Sequence, residues 1–260
     1  MKFGGGIGAI PVALLLGAGL AAFADGALAG PKAVLELFTS QGCSSCPPAD
    51  KLLGTYAYRD DVIALSFSVE IWDYLGWKDT LASHENTERQ RDYARKFGDT
   101  QVYTPQMVVN GMKHLVGSNA AAIGQAIRDS DAAGGLPVPV AISLSDDAVN
   151  IEVGATTGSW PMKGVLWLIL FDRSRTVQIG HGENSGRTIT YYNVVRKLQR
   201  LQMWKGKEIS LSLPQAELYE SGADGCAVLL QTVASGGLPG TILGAAMAVR
   251  RNGYGYGSRP

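Results

Sequence analysis

The chain has 260 residues, of which 46% are hydrophobic and 18% are charged, and its formal net charge at neutral pH is zero. This composition is typical of a globular protein, and the length suits two modest domains better than one large core. General nucleic-acid binders carry a basic surface, so the balanced charge argues against nucleic acid as a partner.

Residues 1–29 have the pattern of a secretory signal peptide. After Lys2 the sequence is apolar or small for many residues, and A-x-A patterns end at Ala24 and Ala29, where either could be the cleavage site. An uncleaved membrane anchor is the alternative, because the apolar run is just long enough to span a bilayer. Glycines and Pro11 in the run favour cleavage. We therefore predict a periplasmic or secreted protein with no stable membrane insertion after cleavage.

Residues 31–133 are predicted to alternate strands and helices. Ala33–Thr39 and Asp61–Val69 are predicted as buried strands joined by a helix that begins at Pro47, an order that indicates a parallel pair with a crossover. The other elements predicted in this part are a helix from His84 to Phe97 capped by Ser83, a hairpin of Gln106–Val109 and Lys113–Val116 around Asn110-Gly111, and a helix capped by Asn119.

A linker rich in glycine and proline begins at residue 134, and short strands follow it over residues 138–250. Their spacing indicates an antiparallel sandwich or barrel, and we predict a β-sandwich domain. Residues 191–202 fit a strand or a helix, and the glycine- and arginine-rich tail, 251–260, is predicted to be disordered. The strands predicted here are Val140–Leu144, Val149–Val153, Val165–Phe171, Thr176–Ile179, Ile209–Leu213 and Ala227–Val233.

Two cysteines stand between the first predicted strand and the first predicted helix, in the motif Cys43-Ser44-Ser45-Cys46-Pro47. Only a thiolate attacks a disulfide, and a helix N-terminus lowers the pKa of a nearby thiol. Pro47 suits the first turn of a helix. Cys43 is therefore the predicted nucleophile, which forms a mixed disulfide with a partner. Cys46 is the predicted resolving thiol, which then attacks Cys43 and releases the product.

Other functions compete for this pair. Structural zinc usually has four ligands, but there is no second C-x-x-C and the histidines His84, His114 and His181 are isolated, so we predict no metal and no cofactor. A non-catalytic copper(I) carrier is the alternative function, because copper(I) accepts soft thiolates. An inert local disulfide comes third, since so short a loop adds little stability. Cys226 is predicted to be a small buried thiol.

Thr104-Pro105 precedes a short predicted strand, and the order of elements from residue 33 onwards resembles the thioredoxin fold. The resemblance implies that Pro105 is a cis-proline against the cysteine pair and that the Thr104 backbone binds an incoming peptide as an added strand. A trans proline at a strand start is the alternative. The predicted fold class is therefore an α/β thioredoxin-like domain followed by an antiparallel β-sandwich domain.

Three stretches carry a more specific resemblance: LFTSQGCSSCPPAD at 37–50, YTPQ at 103–106 and GENSGR at 182–187. They resemble a family of exported bacterial thioredoxin-like proteins that is catalogued as a domain of unknown function. The resemblance covers almost all of the mature chain and implies a thiol–disulfide oxidoreductase acting on protein or small thiol substrates or on a redox partner.

Some details of the site depart from thioredoxins or stay open. The dipeptide between the cysteines is Ser-Ser and the residue before them is Gly42, which leaves the direction of electron transfer open. Glu36 is a candidate proton carrier for Cys46, with a water-facing strand glutamate as the alternative. Trp72, Tyr74 and Trp77 are predicted to be packing residues, with a substrate groove near the cysteines as the alternative. Residues 180–188 are predicted to be a polar loop between strands, and the family resemblance implies that it packs on the first domain near the active face.

Overall fold

A computed structural model describes residues 30–145, 147–156, 163–216 and 222–250. The predicted signal peptide, 1–29, and the predicted tail, 251–260, lie outside the described residues. Within the described part, no helix combines the length and the apolar character needed to cross a membrane.

Helices and strands alternate in the first part of the chain, and strands follow one another in the second. In chain order they are β1 (Ala33–Thr39), α1 (Pro47–Tyr56), β2 (Val62–Ser68), α2 (His84–Phe97), β3 (Gln106–Val109), β4 (Lys113–Val116), α3 (Ala120–Ala132), β5 (Val140–Leu144), β6 (Ala148–Val153), β7 (Gly164–Gln178), β8 (Thr188–Trp204), β9 (Ile209–Pro214), β10 (Gly225–Val233) and β11 (Pro239–Val249).

Local signals set the ends of the first elements as predicted. The Ser83 hydroxyl accepts a hydrogen bond from the Asn86 backbone at 3.2 Å, and the Asn119 side chain caps α3 in the same way. Asn110 and Gly111 both have positive φ, which the tight turn of a hairpin requires. In the second part the sequence was less informative, because β7 joins two predicted strands, β8 fills the ambiguous segment and β11 was not predicted.

A mixed sheet of eight strands runs through both parts of the described chain, in the order β11-β10-β7-β8-β2-β1-β3-β4. β1 and β2 are parallel, and β2 meets β8 at the pair Ser66–Val194. A second sheet has three antiparallel strands, β5-β6-β9. The predicted fold class, a thioredoxin-like α/β domain followed by an antiparallel β-sandwich domain, is therefore wrong.

The physical reason lies at the edge of β2. All seven residues of β2 are buried, so the strand needs a neighbour on each side to satisfy its backbone groups. β1 provides one neighbour and β8 the other, where the Asn193 side chain also donates to the Ala64 carbonyl at 2.8 Å. The hydrophobic pattern predicts that β2 is buried, but it does not predict which distant strand covers its edge.

The first and second parts of the chain also contribute side chains to one apolar core. Side chains of β1 and β2 form one cluster with side chains of β7 and β10, among them Phe38, Phe67, Phe171 and Leu229. A separate cluster under α1 and α3 contains Leu37, Leu53 and Ile123. Because side chains alternate along a strand, the even-numbered residues of β1 face α2 and β10, whereas its odd-numbered residues face α1.

Candidate functional site

The cysteine motif forms the turn between β1 and α1. Cys43 and Cys46 are joined by a disulfide, and the two residues are only 4% and 0% exposed. Cys46 is the N-cap of α1, and Pro47 and Pro48 form the first turn. Ser44 is exposed, so the turn presents its serines to solvent and keeps its cysteines covered.

Thr104 and Pro105 lie beside this turn. The peptide bond between them is cis, as the resemblance implied. The Ser45 hydroxyl donates to the Thr104 carbonyl at 3.5 Å and lies 3.4 Å from the Cys43 sulfur. The structure therefore brings the predicted site residues together, while the role of Thr104 in peptide binding stays a prediction.

A carboxyl group that sequence reasoning missed lies one turn into α1. The backbone N–H of Asp50 donates to the Cys46 carbonyl at 3.1 Å, and residues four apart share one side of a helix. Asp50 is 2% exposed. Its Oδ1 accepts from the Thr39 hydroxyl at 2.8 Å, whereas its Oδ2 has no partner among the described residues. Its spacing from Cys46 was the one signal in the sequence that could have identified it.

The environment of Asp50 holds a proton on it. Burial raises the pKa of Asp50 to about 8; the Thr39 hydrogen bond opposes this shift and the charge of Asp79 adds to it. Asp79 is also buried, which raises its pKa to about 6, although three backbone N–H groups, that of Gln41 first, donate to its carboxylate. Asp50 is consequently mostly protonated at neutral pH, whereas Asp79 is mostly charged.

Buried hydroxyl groups lie on the same face of the sheet as Thr39. Ser66 and Ser68 alternate with the apolar residues of β2, and Ser68 pairs with Thr39 across the two strands. Tyr191 of β8 is close enough to Asp50 and Asp79 for both to raise the pKa of its phenol, in addition to the effect of burial. Among the described residues these three hydroxyls have no hydrogen-bond partner. Next to the cysteine pair, α1 thus covers hydroxyl and carboxyl groups, which lie beside the apolar cluster of Leu37 and Leu53.

The loop between β7 and β8 covers the cysteine turn. The side-chain amide of Asn184 donates to the Gln41 carbonyl at 2.9 Å and to the Cys43 carbonyl at 2.8 Å, and Asn184 is 1% exposed. The Glu183 carboxylate accepts from the Ser44 backbone N–H at 3.3 Å. The predicted position of this loop is confirmed, but these two contacts were not predicted.

Trp77 supports both the turn and the loop. Its indole N–H donates to the Gln41 side chain at 2.8 Å, and its ring contacts the His181 ring at 6.1 Å between centroids. Trp72 is held by a 2.7 Å hydrogen bond from its indole to the Thr104 hydroxyl. Both tryptophans therefore pack around the site, as predicted, but Tyr74 is 75% exposed, so the packing prediction is wrong for this residue.

Glu36 is not in this site, and both interpretations of it were wrong. It is fully buried on the opposite face of β1, where its carboxylate accepts from Arg89 Nε at 2.7 Å and from the Tyr93 hydroxyl at 2.5 Å. Gln231 of β10 joins the same network through Tyr93 and Arg89. Glu36 therefore links β1 to α2 and β10.

Cys226 is remote from the turn and is a buried thiol, as predicted. Burial raises its pKa to about 12, so it stays protonated. No group of three or more His, Cys, Asp or Glu side chains in the described ranges is placed to hold a metal ion.

A family model described as "Protein of unknown function (DUF1223)" matches residues 34–231. The chain belongs to the DUF1223 family. The DUF1223 match runs from β1 into β10, so it includes both the cysteine turn and the loop that covers it. The prediction of a family with a domain of unknown function is confirmed.

This DUF1223 protein is also similar to the protein AGR_C_4864 from Agrobacterium tumefaciens, whose crystal structure has been solved. The two are 38% identical with a TM-score of 0.77, and the alignment covers 88% of this chain and 99% of that chain. The comparison with curated proteins gives no match.

Proposed function

We propose that this DUF1223 protein is a thiol–disulfide oxidoreductase that uses Cys43 and Cys46 on protein or small thiol substrates or on a redox partner. The observation that carries the proposal is the pairing of a disulfide at the start of α1 with a buried, protonated acid one turn later. A structural staple gains little from a loop this short, because it constrains the unfolded chain very little. A pair that cycles between dithiol and disulfide has a use for a nearby proton donor and acceptor.

The reaction follows from the positions of the two sulfur atoms. In the reduced protein the Cys43 thiolate attacks a substrate disulfide, and the leaving sulfur takes up a proton. Cys46 then loses its proton and attacks the Cys43 sulfur, which releases the second substrate sulfur and leaves the Cys43–Cys46 disulfide. Two electrons pass to the substrate, together with the proton of Cys46 and the proton that Cys43 released to solvent when it ionised. Asp50 has a pKa near the working pH, which suits it to exchange the proton of Cys46.

Three further assignments belong to the same proposal. A relationship to the thioredoxin superfamily is supported by the C-x-x-C motif and by the contact between Ser45 and the Thr104 carbonyl, beside which an extended peptide would bind. A periplasmic or secreted location is supported by the pattern of residues 1–29. The substrates are thiols and disulfides and not nucleic acid, in keeping with the balanced charge.

The test is a trapping experiment in the exported compartment. Cys46→Ser should accumulate mixed disulfides on Cys43, because the resolving thiol is missing, and reducing agent should release them. Cys43→Ser and Cys226→Ser are the matched controls and should trap nothing.

Absence of any mixed disulfide with Cys46→Ser would contradict the proposal. Stoichiometric binding of copper(I) to the reduced wild type, lost in either cysteine variant, would then favour the copper(I) carrier.

A further inference from the structure

Two carboxylates hydrogen-bond to the backbone of the cysteine turn. Ser44 donates its backbone N–H to Glu183, and Gln41 donates its backbone N–H to Asp79 at 2.7 Å. The carboxyl group of Asp50 lies one turn into α1 and is mostly protonated at neutral pH, so it adds little charge. In the part of the chain that the structure describes, Asp79 and Glu183 are the charged side chains that hydrogen-bond to the backbone of residues 40–46.

The other titratable groups near the turn do not reverse this arrangement. Asp73 accepts from the Asp79 backbone N–H and adds a further carboxylate. The phenol of Tyr191 belongs to β8. The covering loop adds His181, which contacts Trp77, and Arg187, whose guanidinium donates to Oδ1 of the Asn184 side chain at 3.2 Å. Arg187 therefore contacts the residue that holds the turn, whereas Glu183 contacts the turn itself.

The Glu183 carboxylate changes the free energy of the reduced protein and not that of the oxidised protein. In the reduced protein the Cys43 thiol can ionise, and a nearby anion destabilises the resulting thiolate, whereas the disulfide carries no charge. Glu183 also occupies the Ser44 N–H, a backbone donor of the turn directly after Cys43 that would otherwise favour a thiolate there. A reduced form that is destabilised in this way gives up its electrons more readily.

We propose that Glu183 sets the direction of electron transfer: its carboxylate destabilises the Cys43 thiolate, lowers the reduction potential of the pair and makes the protein a reductase of substrate disulfides. This inference rests on the proposed function. In each turnover the Cys43 and Cys46 thiols lose two electrons and two protons to one substrate disulfide, which becomes two thiols. A second dithiol protein of lower potential returns the electrons and protons.

The test compares wild type with Glu183→Gln, which removes the charge and keeps the size of the side chain. The titration midpoint of Cys43 in the reduced protein should fall, and the equilibrium constant for reduction in a glutathione or dithiothreitol buffer should rise 3- to 10-fold, where tenfold corresponds to about 30 mV. The difference should shrink at high salt, because Glu183 is exposed. Glu152→Gln, an exposed glutamate on β6, is the control and should change neither quantity.

Two results would overturn the inference. One is a Glu183→Gln variant whose Cys43 midpoint and redox equilibrium equal those of wild type at low salt. The other is a wild type whose oxidised form oxidises a reduced, unfolded protein faster than its reduced form reduces that protein's disulfides. Mixed disulfides with Cys46→Ser report separately on the proposed function: if they form while Glu183→Gln has no effect, only the direction is wrong.

Discussion

Burial of Asp50 beneath α1 couples the stability of the protein to pH. The folded protein keeps a proton on Asp50 up to a pKa of about 8, whereas an aspartate in the unfolded chain loses its proton at about pH 4. Below about pH 4, Asp50 is protonated in both the folded and the unfolded state. Between about pH 4 and pH 8, Asp50 is charged in the unfolded state only, so the free energy of unfolding falls as pH rises towards 8.

Asp50→Asn should remove this part of the pH dependence. Between pH 4 and pH 8, the free energy of unfolding of the oxidised wild type should fall relative to that of the variant by up to about 1.4 kcal/mol per pH unit. The amide oxygen can still accept from Thr39. Urea unfolding at several pH values measures the difference, with the exposed Asp60→Asn as the control. Parallel curves for wild type and Asp50→Asn would contradict the prediction.

The sequence contained part of this site at the residue level. The motif alone predicts the cysteine turn, since its chemistry is local. Side-chain alternation in β1 places Glu36 and Thr39 on opposite faces, but it does not say which face α1 covers. The four-residue spacing from Cys46 to Asp50 is visible, yet the burial that changes the pKa of Asp50 comes from β2 and β8. The raised pKa of Asp50 therefore depends on contacts that the sequence pattern does not predict.

Among the elements, the β7–β8 loop covers the turn that carries the disulfide. It approaches from the second part of the chain, rests on Trp77 and donates two hydrogen bonds from Asn184 to the turn. Cys43 is nearly covered in this arrangement. A reagent or substrate must displace part of this loop or reach the sulfur past Ser44 and Ser45.

Asn184→Ala should make the disulfide easier to reach. Loss of both donors leaves the Gln41 and Cys43 carbonyls without this partner and loosens the turn, so reduction of the disulfide by a phosphine or dithiol reagent should become several-fold faster. Ser185→Ala in the same loop removes only a hydrogen bond to the Gly180 carbonyl and should leave the rate unchanged. Stopped-flow reduction at fixed pH compares the two variants. Equal rates for both would show that the loop does not control access.

The elements of the second part were harder to predict because their side-chain alternation is interrupted. Register shifts between Leu166 and Trp167, and again between Leu170 and Phe171, mark bulges where β7 pairs with β8. A bulge breaks the two-residue period, and the spacing of Val194, Leu198 and Leu201 then resembles that of a helix. Pairing with β7 and β2 decides that this segment is a strand.

At the scale of the whole molecule, the two parts of the chain share one sheet and one main core. The division into residues 31–133 and 138–250 stays a prediction about chain organisation. Phe38 and Phe67 from the first part pack with Phe171 and Leu229 from the second. The Glu36–Arg89–Tyr93 network adds Gln231 to this contact. Neither part can bury these side chains without the other, so we expect the two parts to unfold together.

Amide hydrogen exchange on the full chain tests this expectation. Peptides from β1 and from β10 should show the same free energy of opening. Asn193→Ala removes the hydrogen bond between β8 and the Ala64 carbonyl, and it should lower both values equally, by roughly 1–3 kcal/mol. Asn150→Ala on β6, which loses an exposed contact with Ser212, is the control. A drop confined to β10 would mean that the parts open independently.

The contact between Asn184 and the Cys43 carbonyl joins residues that are 141 positions apart. A sequence search that scores only the segment around the cysteines would therefore not detect whether a related protein has this contact. Before a function is transferred from one such protein to another, one should check whether an asparagine stands at the equivalent position of the loop between β7 and β8.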